Sequence, residues 1–374
     1  MEESSGVVID NGSFNIKAGF SGDSAPRSLF RNVVGKTRNA GISIAMGDRS
    51  YRVGESAQKN RGLLSLTYPI QGGVIKDWDD MERVWHYTFF EALKVPPEEH
   101  PALLTDAPRT SGNDRERMLS TMIETFGVPS VSIVSQAVTA LYSSGRTSGC
   151  VVDMGYQKSF AVPIFKGYTL PHSTGQVNVN GEDVTKYLHK LLSARGYVFT
   201  TNAELDLVRE MKETLCYVAK DYKSECSAVS EDPRPFEKSF ELPDGSTVHL
   251  AKERFQCAEA IFQPHLLGKT NDMGICESVI RTIKSCSDIR DTLLKNIVLS
   301  GGNSMFPAVA SRLADGIIAL DHKSKPVVFA DPARAYTSWI GSSILSSLPT
   351  FGSMRVSKAD FEEHGAAVVH RKCS

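Results

Sequence analysis

Residues Val7 to Phe20 read VVIDNGSFNIKAGF, and residues Cys150 to Phe160 read CVVDMGYQKSF. Each is an apolar run that ends in Asp-x-Gly, at Asp10 and Asp153, then turns into a second run of strand formers. In the first copy, Asn11-Gly12 is the strongest short hairpin signal. Successive backbone N–H groups in such a turn form an anion-binding concavity. Ser13 adds a hydroxyl donor, and Lys17 on the return strand is a point charge within reach of a phosphate. Asp10 can orient waters on a magnesium ion, which keeps most of its water shell. Alone, this reads equally well as a surface hairpin. Its repetition at Asp153 and Gly155 favours a phosphate clamp built from duplicated lobes. A third element, NIVLSGGNSMFP, sets Gly301-Gly302 between a strand and a helix, which suits close backbone approach to a nucleotide at a helix N-terminus. The three together predict a nucleotide cleft between two lobes.

The totals agree with two lobes: 374 residues exceed one typical core. With 41% hydrophobic and 23% charged residues, the composition is that of an ordinary globular chain. A formal net charge of −1 gives no electrostatic case for nucleic acid. No apolar run is long enough for a membrane helix, and MEESSGVVID lacks the regions of a secretory signal, so an intracellular address is expected. Seven scattered cysteines without C-x-x-C spacing read as reduced thiols rather than a disulfide framework or a zinc site.

Along the chain, short β-rich runs alternate with amphipathic helices, the pattern of an α/β protein. Helices are expected over Asp79 to Leu93, about Asp114 to Phe126, from Gly181 to near Gly196, and over Ala203 to Lys220. A hairpin is expected at SFELPDGSTVHLA, and Ser43 to Gly54 reads as a mobile polar excursion. The tail VSKADFEEHGAAVVHRKCS is expected to be partly helical and to pack on the first lobe.

The motifs DNGS, KAGF, WDDMERVWHYTF, PEEHPALLT, ALYSSGRTSG, LSGGNSMFP, WIGSSIL and VVHRKC resemble the actin family from about Val7 to the C-terminus. The resemblance implies the two-lobed α/β fold of actin and sugar kinases, with four subdomains around a nucleotide cleft. The implied outer lobe is 1–143 with 337–374, with 33–68 peripheral; the inner lobe is 144–336, with 181–269 peripheral. It also implies ATP or ADP with Mg2+ or Ca2+. Asp10, Gly12, Ser13 and Lys17 match the first phosphate loop, in which Phe14 also falls at a cofactor-binding position, and Asp153 and Gly155 match the second. Asp10 and Asp153 would hold the metal through water, and Gln136 would position the attacking water. Gly181, Arg209, Lys212, Glu213, Gly301, Gly302, Met305 and Phe306 fall where the family holds ribose and adenine. Without the resemblance, Arg209, Lys212 and Glu213 read equally as a solvated helix face.

This chain departs from the family pattern at the phosphates. Phe14 stands where the family has a glycine, Tyr156-Gln157 replace an Asp-Gly pair, Lys158 replaces a valine, and Phe160 replaces the histidine that supports the hydrolytic water. Ala335 replaces an adenine-contacting lysine. Weak or absent hydrolysis is therefore expected. Tyr142, Gly145, Thr147, Ile344, Leu345, Leu348, Thr350 and Met354 match the apolar groove that takes actin-binding proteins and the next subunit. The outer loop RNAGISIAMGDRSYR, the segment QPHLLGKTNDMGI, Gly72 and the short acidic start at Glu2 and Glu3 all differ from the family. The reading is a divergent actin-like protein of the cytoplasm and cytoskeleton that works with itself, other actin-like subunits or groove-binding partners. The alternative is a non-polymerising actin-related scaffold subunit. A small-molecule kinase would need a catalytic carboxylate and a sugar pocket, and no motif supplies them.

Overall fold

The computed structural model describes residues 5–37 and 51–373. The outer loop, apart from its last two residues, and the acidic Glu2 and Glu3 lie outside the described residues. The chain divides into two compact units. The first is Met1–Thr147 with Lys166–Pro171 and Tyr336–Ser374; the second is Ser148–Phe165 with His172–Ala335. Lys166–Pro171 belongs with the first unit because the Gly167 N–H donates to the Thr147 carbonyl at 2.7 Å. At φ +87°, a Cβ on Gly167 would also lie 2.4 Å from the Tyr142 hydroxyl.

The first unit holds a six-stranded sheet in the order Val356–Ser357, Ser130–Ser135, Ala102–Asp106, Val7–Asn11, Asn15–Phe20, Ser28–Arg31. All five residues of Val7–Asn11 are buried because both faces of the sheet are covered. Val7 and Ile9 enter the cluster of Trp85, Phe89 and Leu104, while Val8 packs with Leu103, Trp339 and Phe351 on the other face. The helices Gln136–Ser143 and Thr337–Ser347 cover that second face almost backbone to backbone. A Cβ on Gly341 would sit 1.7 Å from the Thr139 carbonyl oxygen. The tail joins this unit through Val368, Val369 and Cys373, which enter its core. A smaller sheet orders Tyr51–Val53, Val34–Thr37 and Leu64–Thr67.

The second unit repeats the plan. Ser159–Phe165 runs antiparallel to Gly149–Met154, which lies parallel to Ile297–Ser300, followed by Val328–Phe329. Helices Gly181–Ala194, Asn202–Leu215, Tyr222–Glu231 and Glu253–Glu259 follow, with the hairpin Lys238–Glu241/Thr247–Leu250. Ala219, Val229 and Phe255 form a local core there.

Several boundaries differ from the periodicity. The first long helix starts at Trp78, capped by the Asp77 carboxylate, and ends in a wide turn, Thr88–Leu93, with Lys94 left-handed. The helix expected to reach Lys220 stops at Leu215. Val218 remains buried beyond it, so its apolar spacing reflects core packing rather than helix. The helix after Gly302 also begins late. Gly302–Ser304 is a single 3-10 turn, and Val309–Leu320 starts only after Pro307 and a left-handed Ala308. The glycine pair therefore does not open a helix. The described cysteines are all free thiols.

Candidate functional site

Side-chain alternation along Val7–Asn11 sends Asp10 to the face of Val8 and Asn11 to the face of Trp85. Asn11 is consequently structural: its Oδ1 accepts from Trp85 Nε1 at 3.1 Å and its Nδ2 donates to the Thr105 carbonyl at 3.0 Å. Asp10 is 1% exposed and fully engaged. Its Oδ2 accepts from Lys17 Nζ at 2.6 Å, the cross-strand partner in the register. Its Oδ1 accepts from Thr105 Oγ1 at 2.6 Å, Gln136 Nε2 at 2.8 Å and Ser338 Oγ at 3.3 Å. Burial would raise the Asp10 carboxyl. The charge of Lys17 and hydrogen bonds from Lys17, Thr105 and Gln136 outweigh it and hold the group below its ordinary value.

Asn11-Gly12 is not the two-residue turn its dipeptide suggests. Asn11 pairs with Ile16 as a strand residue, and neither Asn11 nor Gly12 has a positive φ. A Cβ on Gly12 would stand 2.3 Å from the Asn15 carbonyl oxygen, so glycine is needed for close approach. The tight turn with positive φ at both residues is Gly72-Gly73, at φ 58° and 75°, between Ile70–Gln71 and Val74–Ile75. From outside, Asn32 braces the first loop, its Nδ2 donating to the Gly12 carbonyl at 2.9 Å and its N–H to the Phe14 carbonyl at 2.8 Å. The Phe14 ring lies under the Arg31 guanidinium, 4.3 Å from Cζ to centroid. Ser13 makes no hydrogen bond with a described residue, so its N–H and hydroxyl are unspent.

The second hairpin superposes on the first in sequence register. Asp10 pairs with Lys17, and Asp153 with Phe160. Gly155 occupies the place of Gly12, its Cβ position 2.6 Å from the Lys158 carbonyl oxygen. Ser300 stands beside Asp153 in the parallel neighbour, as Thr105 does beside Asp10 in contact and sheet order. The cation of the first hairpin is thus replaced by a buried ring in the second. Lys158, two residues nearer the turn, is half-buried and has no charged partner among the described residues. The carbonyls of Gly155, Tyr156 and Gln157 are tied to the helix Gly181–Ala194 and its cap. They accept from Gly181 N–H at 3.0 Å, Glu182 N–H at 2.8 Å and Asn180 Nδ2 at 3.1 Å.

Arg209 and Lys212 are not on a solvated face; they are 8% and 5% exposed. Arg209 pairs with Asp206 at 2.6 Å. Lys212 Nζ donates to the Gly181 carbonyl at 3.1 Å, and no carboxylate among the described residues pairs with it. Burial pushes the Lys212 ammonium below its ordinary value. Glu213, by contrast, is exposed. Gly301 has φ +88°, and a Cβ there would lie 2.5 Å from the Met154 carbonyl oxygen and 2.8 Å from Asp153 Oδ1. It is glycine because the chain packs against the second hairpin. Gly302 meets nothing within 4 Å and leaves open space. Met305 is exposed and Phe306 buried.

The family model for actin matches residues 1–374, the whole length. The chain belongs to the actin family. Its mixed α/β architecture is that of the actin ATPase fold. No helix among the described residues is long and apolar enough to cross a membrane.

Within the actin-family pattern, Gln136 spends its amide N–H groups on Asp10 and on the Asn11 carbonyl at 3.2 Å, which leaves Oε1 as its available end. Of the groove residues, Ile344, Leu348, Thr350 and Met354 are exposed. Gly145 has φ +69° and open space around it. Leu345 does not belong to this surface: it is 8% exposed and packs with Val8 and Trp339. Its helix faces the sheet at that position, and Tyr142 is partly buried against the same cluster. Sequence reasoning also passed over Thr105, Ser338 and Asn32. Their side chains reach the first hairpin from other strands, helices and turns, and no local motif marks them.

Proposed function

We propose that this actin-family chain binds ATP or ADP with a divalent cation, hydrolyses it slowly or not at all, and acts through protein assembly. The observation that carries the reading is the hairpin built twice in the same register, each with its Asp at the strand end and a glycine pressed on a turn carbonyl. Supporting it, Ser13 keeps its donors unspent, and Lys212 is a buried ammonium with one backbone acceptor. Such a group favours an anionic or hydroxylic neighbour.

The cation fits as a companion of the phosphates. No three His, Cys, Asp or Glu side chains gather among the described residues, and Asp10 is already ion-paired with Lys17, so a cation near it would be held through water; the family resemblance gives Asp153 the same role. A bound cation there neutralises phosphate charge. For hydrolysis, Gln136 Oε1 can accept from a water, but Phe160 gives that water no polar partner. ATP retained through gel filtration and released undegraded over hours supports the reading. Brisk phosphate release overturns the hydrolysis half, and failure to bind Mg-ATP overturns the whole.

Assembly rests on the exposed Ile344, Leu348 and Met354, which the family resemblance groups with Tyr142, Gly145, Thr147 and Thr350 as a surface suited to an amphipathic helix. A non-polymerising scaffold subunit is the second reading. The altered segment at 263–275 favours it, because Lys269 and Asp272 are spent within their own unit. Lys269 Nζ donates to Asp183 at 3.0 Å and Asp272 accepts from Asn178 at 2.7 Å. In either case the expected location is the cytoplasm and its cytoskeleton.

A further inference from the structure

The helix Trp78–Tyr87 turns Met81, Val84 and Trp85 into the core of the first unit. Its other face carries Asp79, Glu82 and His86, spaced by three and four, and Phe90 continues the row into the wide turn Thr88–Leu93. All four are exposed, Phe90 with 46% of its surface in solvent. A single exposed ring is ordinary, but this one stands at the lip of two hollows. On one side, a cavity of about 570 Å³ lies between this row and Glu98 and Phe126. On the other, a cavity of about 560 Å³ is lined by Lys94, Val95 and Pro96. The His86 ring lies against the Phe90 ring, with centroids 4.5 Å apart. Widened helical turns of this kind recur at functional sites.

The charge around the first cavity is one-sided. The carboxylates of Asp79, Glu82 and Glu98 make no ion pair with a described residue. Arg83, the cation on the same wall, is committed to the buried Asp80 and lies 5.4 Å over the Tyr51 ring. No three acidic side chains among the described residues gather closely enough to hold a metal ion, so the matching charge is a row of separated cations. Between the carboxylates the walls are apolar, formed by Phe90, Pro97 and Phe126, which favours hydrocarbon between the cations. Lysine and arginine, with apolar stems and charged heads, have that build.

We propose that this face of the first unit docks a basic segment of a partner protein, whose apolar side chain packs on Phe90 between lysines or arginines that meet Asp79, Glu82 and Glu98. Charge complementarity selects the occupant: an acidic or neutral segment would leave the carboxylates desolvated and unpaired. The surface shares no residue with the groove at Ile344, and the inference does not depend on the nucleotide. In such contacts an aromatic anchor carries most of the affinity, while rim charges set the rate and the salt dependence.

The test is fluorescence anisotropy of labelled, capped hexapeptides, KLKKLK, KSKKSK and ELEELE, with the full chain at several salt concentrations. KLKKLK should bind, KSKKSK roughly 10-fold more weakly, and ELEELE not detectably. Phe90→Ala should lower KLKKLK to the level of KSKKSK. Asp79→Asn combined with Glu82→Gln keeps the ring, and should weaken both basic peptides and flatten their salt dependence. Glu98→Gln, on the facing wall, should act in the same direction to a smaller degree. The substituted side chains are exposed, so melting temperatures should stay at the wild-type value. KSKKSK binding as tightly as KLKKLK reduces the effect to adhesion of charge and overturns the inference. Displacement of KLKKLK by spermidine at equal charge concentration assigns the cavity to a small polyamine and overturns it as well. Unchanged KLKKLK affinity in Phe90→Ala also overturns it; loss of that binding in Ile344→Ser then places the peptide on the other surface, with the assembly reading intact. A wild type that does not bind KLKKLK overturns the inference outright and leaves the nucleotide reading untouched.

Discussion

Asp10 is a buried charge whose cost is offset by one cation and three neutral donors. Truncating the cation in Lys17→Met strands the carboxylate, and the expected destabilisation is about 3 kcal/mol at neutral pH. The direction of the pKa shift fixes the pH behaviour. Asp10 is held below its ordinary value of 3.8, so its contribution is complete above that value and disappears as pH falls through the lowered one. The stability gap between wild type and Lys17→Met should therefore narrow in acid, where both carry a neutral Asp10. Urea unfolding at neutral and acid pH checks it. Lys212 has the opposite sign. Burial depresses it below 10.5, so protonation favours the unfolded chain, and stability rises with pH up to the ordinary lysine range. Lys212→Met leaves the Gly181 carbonyl bonded to Thr185 Oγ1 at 2.9 Å. The empty protein should gain about 1 kcal/mol while its affinity for ATP falls. Melting with and without Mg-ATP reads both, and a loss of stability in the empty variant would count against a penalised ammonium.

Between elements, the tightest fit is the crossing of Gln136–Ser143 and Thr337–Ser347. Ser338 Oγ meets Thr139 Oγ1 at 3.3 Å, and Gly341 faces the Thr139 carbonyl with no room for a methyl group. Because Trp339 Nε1 donates to the Val8 carbonyl at 3.1 Å, separating the helices would also disturb the strand that carries Asp10. Gly341→Ala should cost roughly 2–3 kcal/mol, read as a lowered urea midpoint with an unchanged slope. The two hairpins offer a second prediction at this scale. Lys158 is the cation of the second turn, without a charged partner among the described residues, where the register partner of the Asp is a ring. If it meets the terminal phosphate, Lys158→Gln weakens ATP roughly 10-fold and ADP little, with Lys158→Arg restoring most of the difference. Equal weakening of ATP and ADP would assign Lys158 to the phosphates they share, and unchanged affinity for both would return it to the role of a solvated side chain.

For the whole molecule, the two units each contain a sheet of the same plan, and the duplicated hairpin gives each of them one phosphate-type turn. Ligand binding to the folded state alone raises stability by mass action, about 2.7 kcal/mol at a hundredfold excess over the dissociation constant. Mg-ATP should raise the melting temperature accordingly. Sedimentation at rising protein concentration separates the two assembly readings: a critical concentration above which the chain pellets supports self-assembly, and its absence at all concentrations supports the scaffold.

By itself, the sequence determined the α/β class, the two-copy plan and the two aspartates. Periodicity of burial and the Asp-x-Gly strand ends are local properties, written in consecutive residues. The family, too, was legible in short motifs spread over the length. Tertiary structure decided what could not be local. Asn11-Gly12 has the composition of a tight turn, yet strand pairing with Ile16 and the hydrogen bond from Trp85 override it. Gly301 looks like a ligand glycine, but the Met154 carbonyl explains it. Leu345 carries the groove motif and faces the core. Lys212 shares one helix with the exposed Glu213, and only the packing of Gly181 shows which of the two is buried. The hollow beside Phe90 has no sequence signal at all, because its walls, the helix Trp78–Tyr87 and the residues Thr125 and Phe126, meet only when the chain is folded.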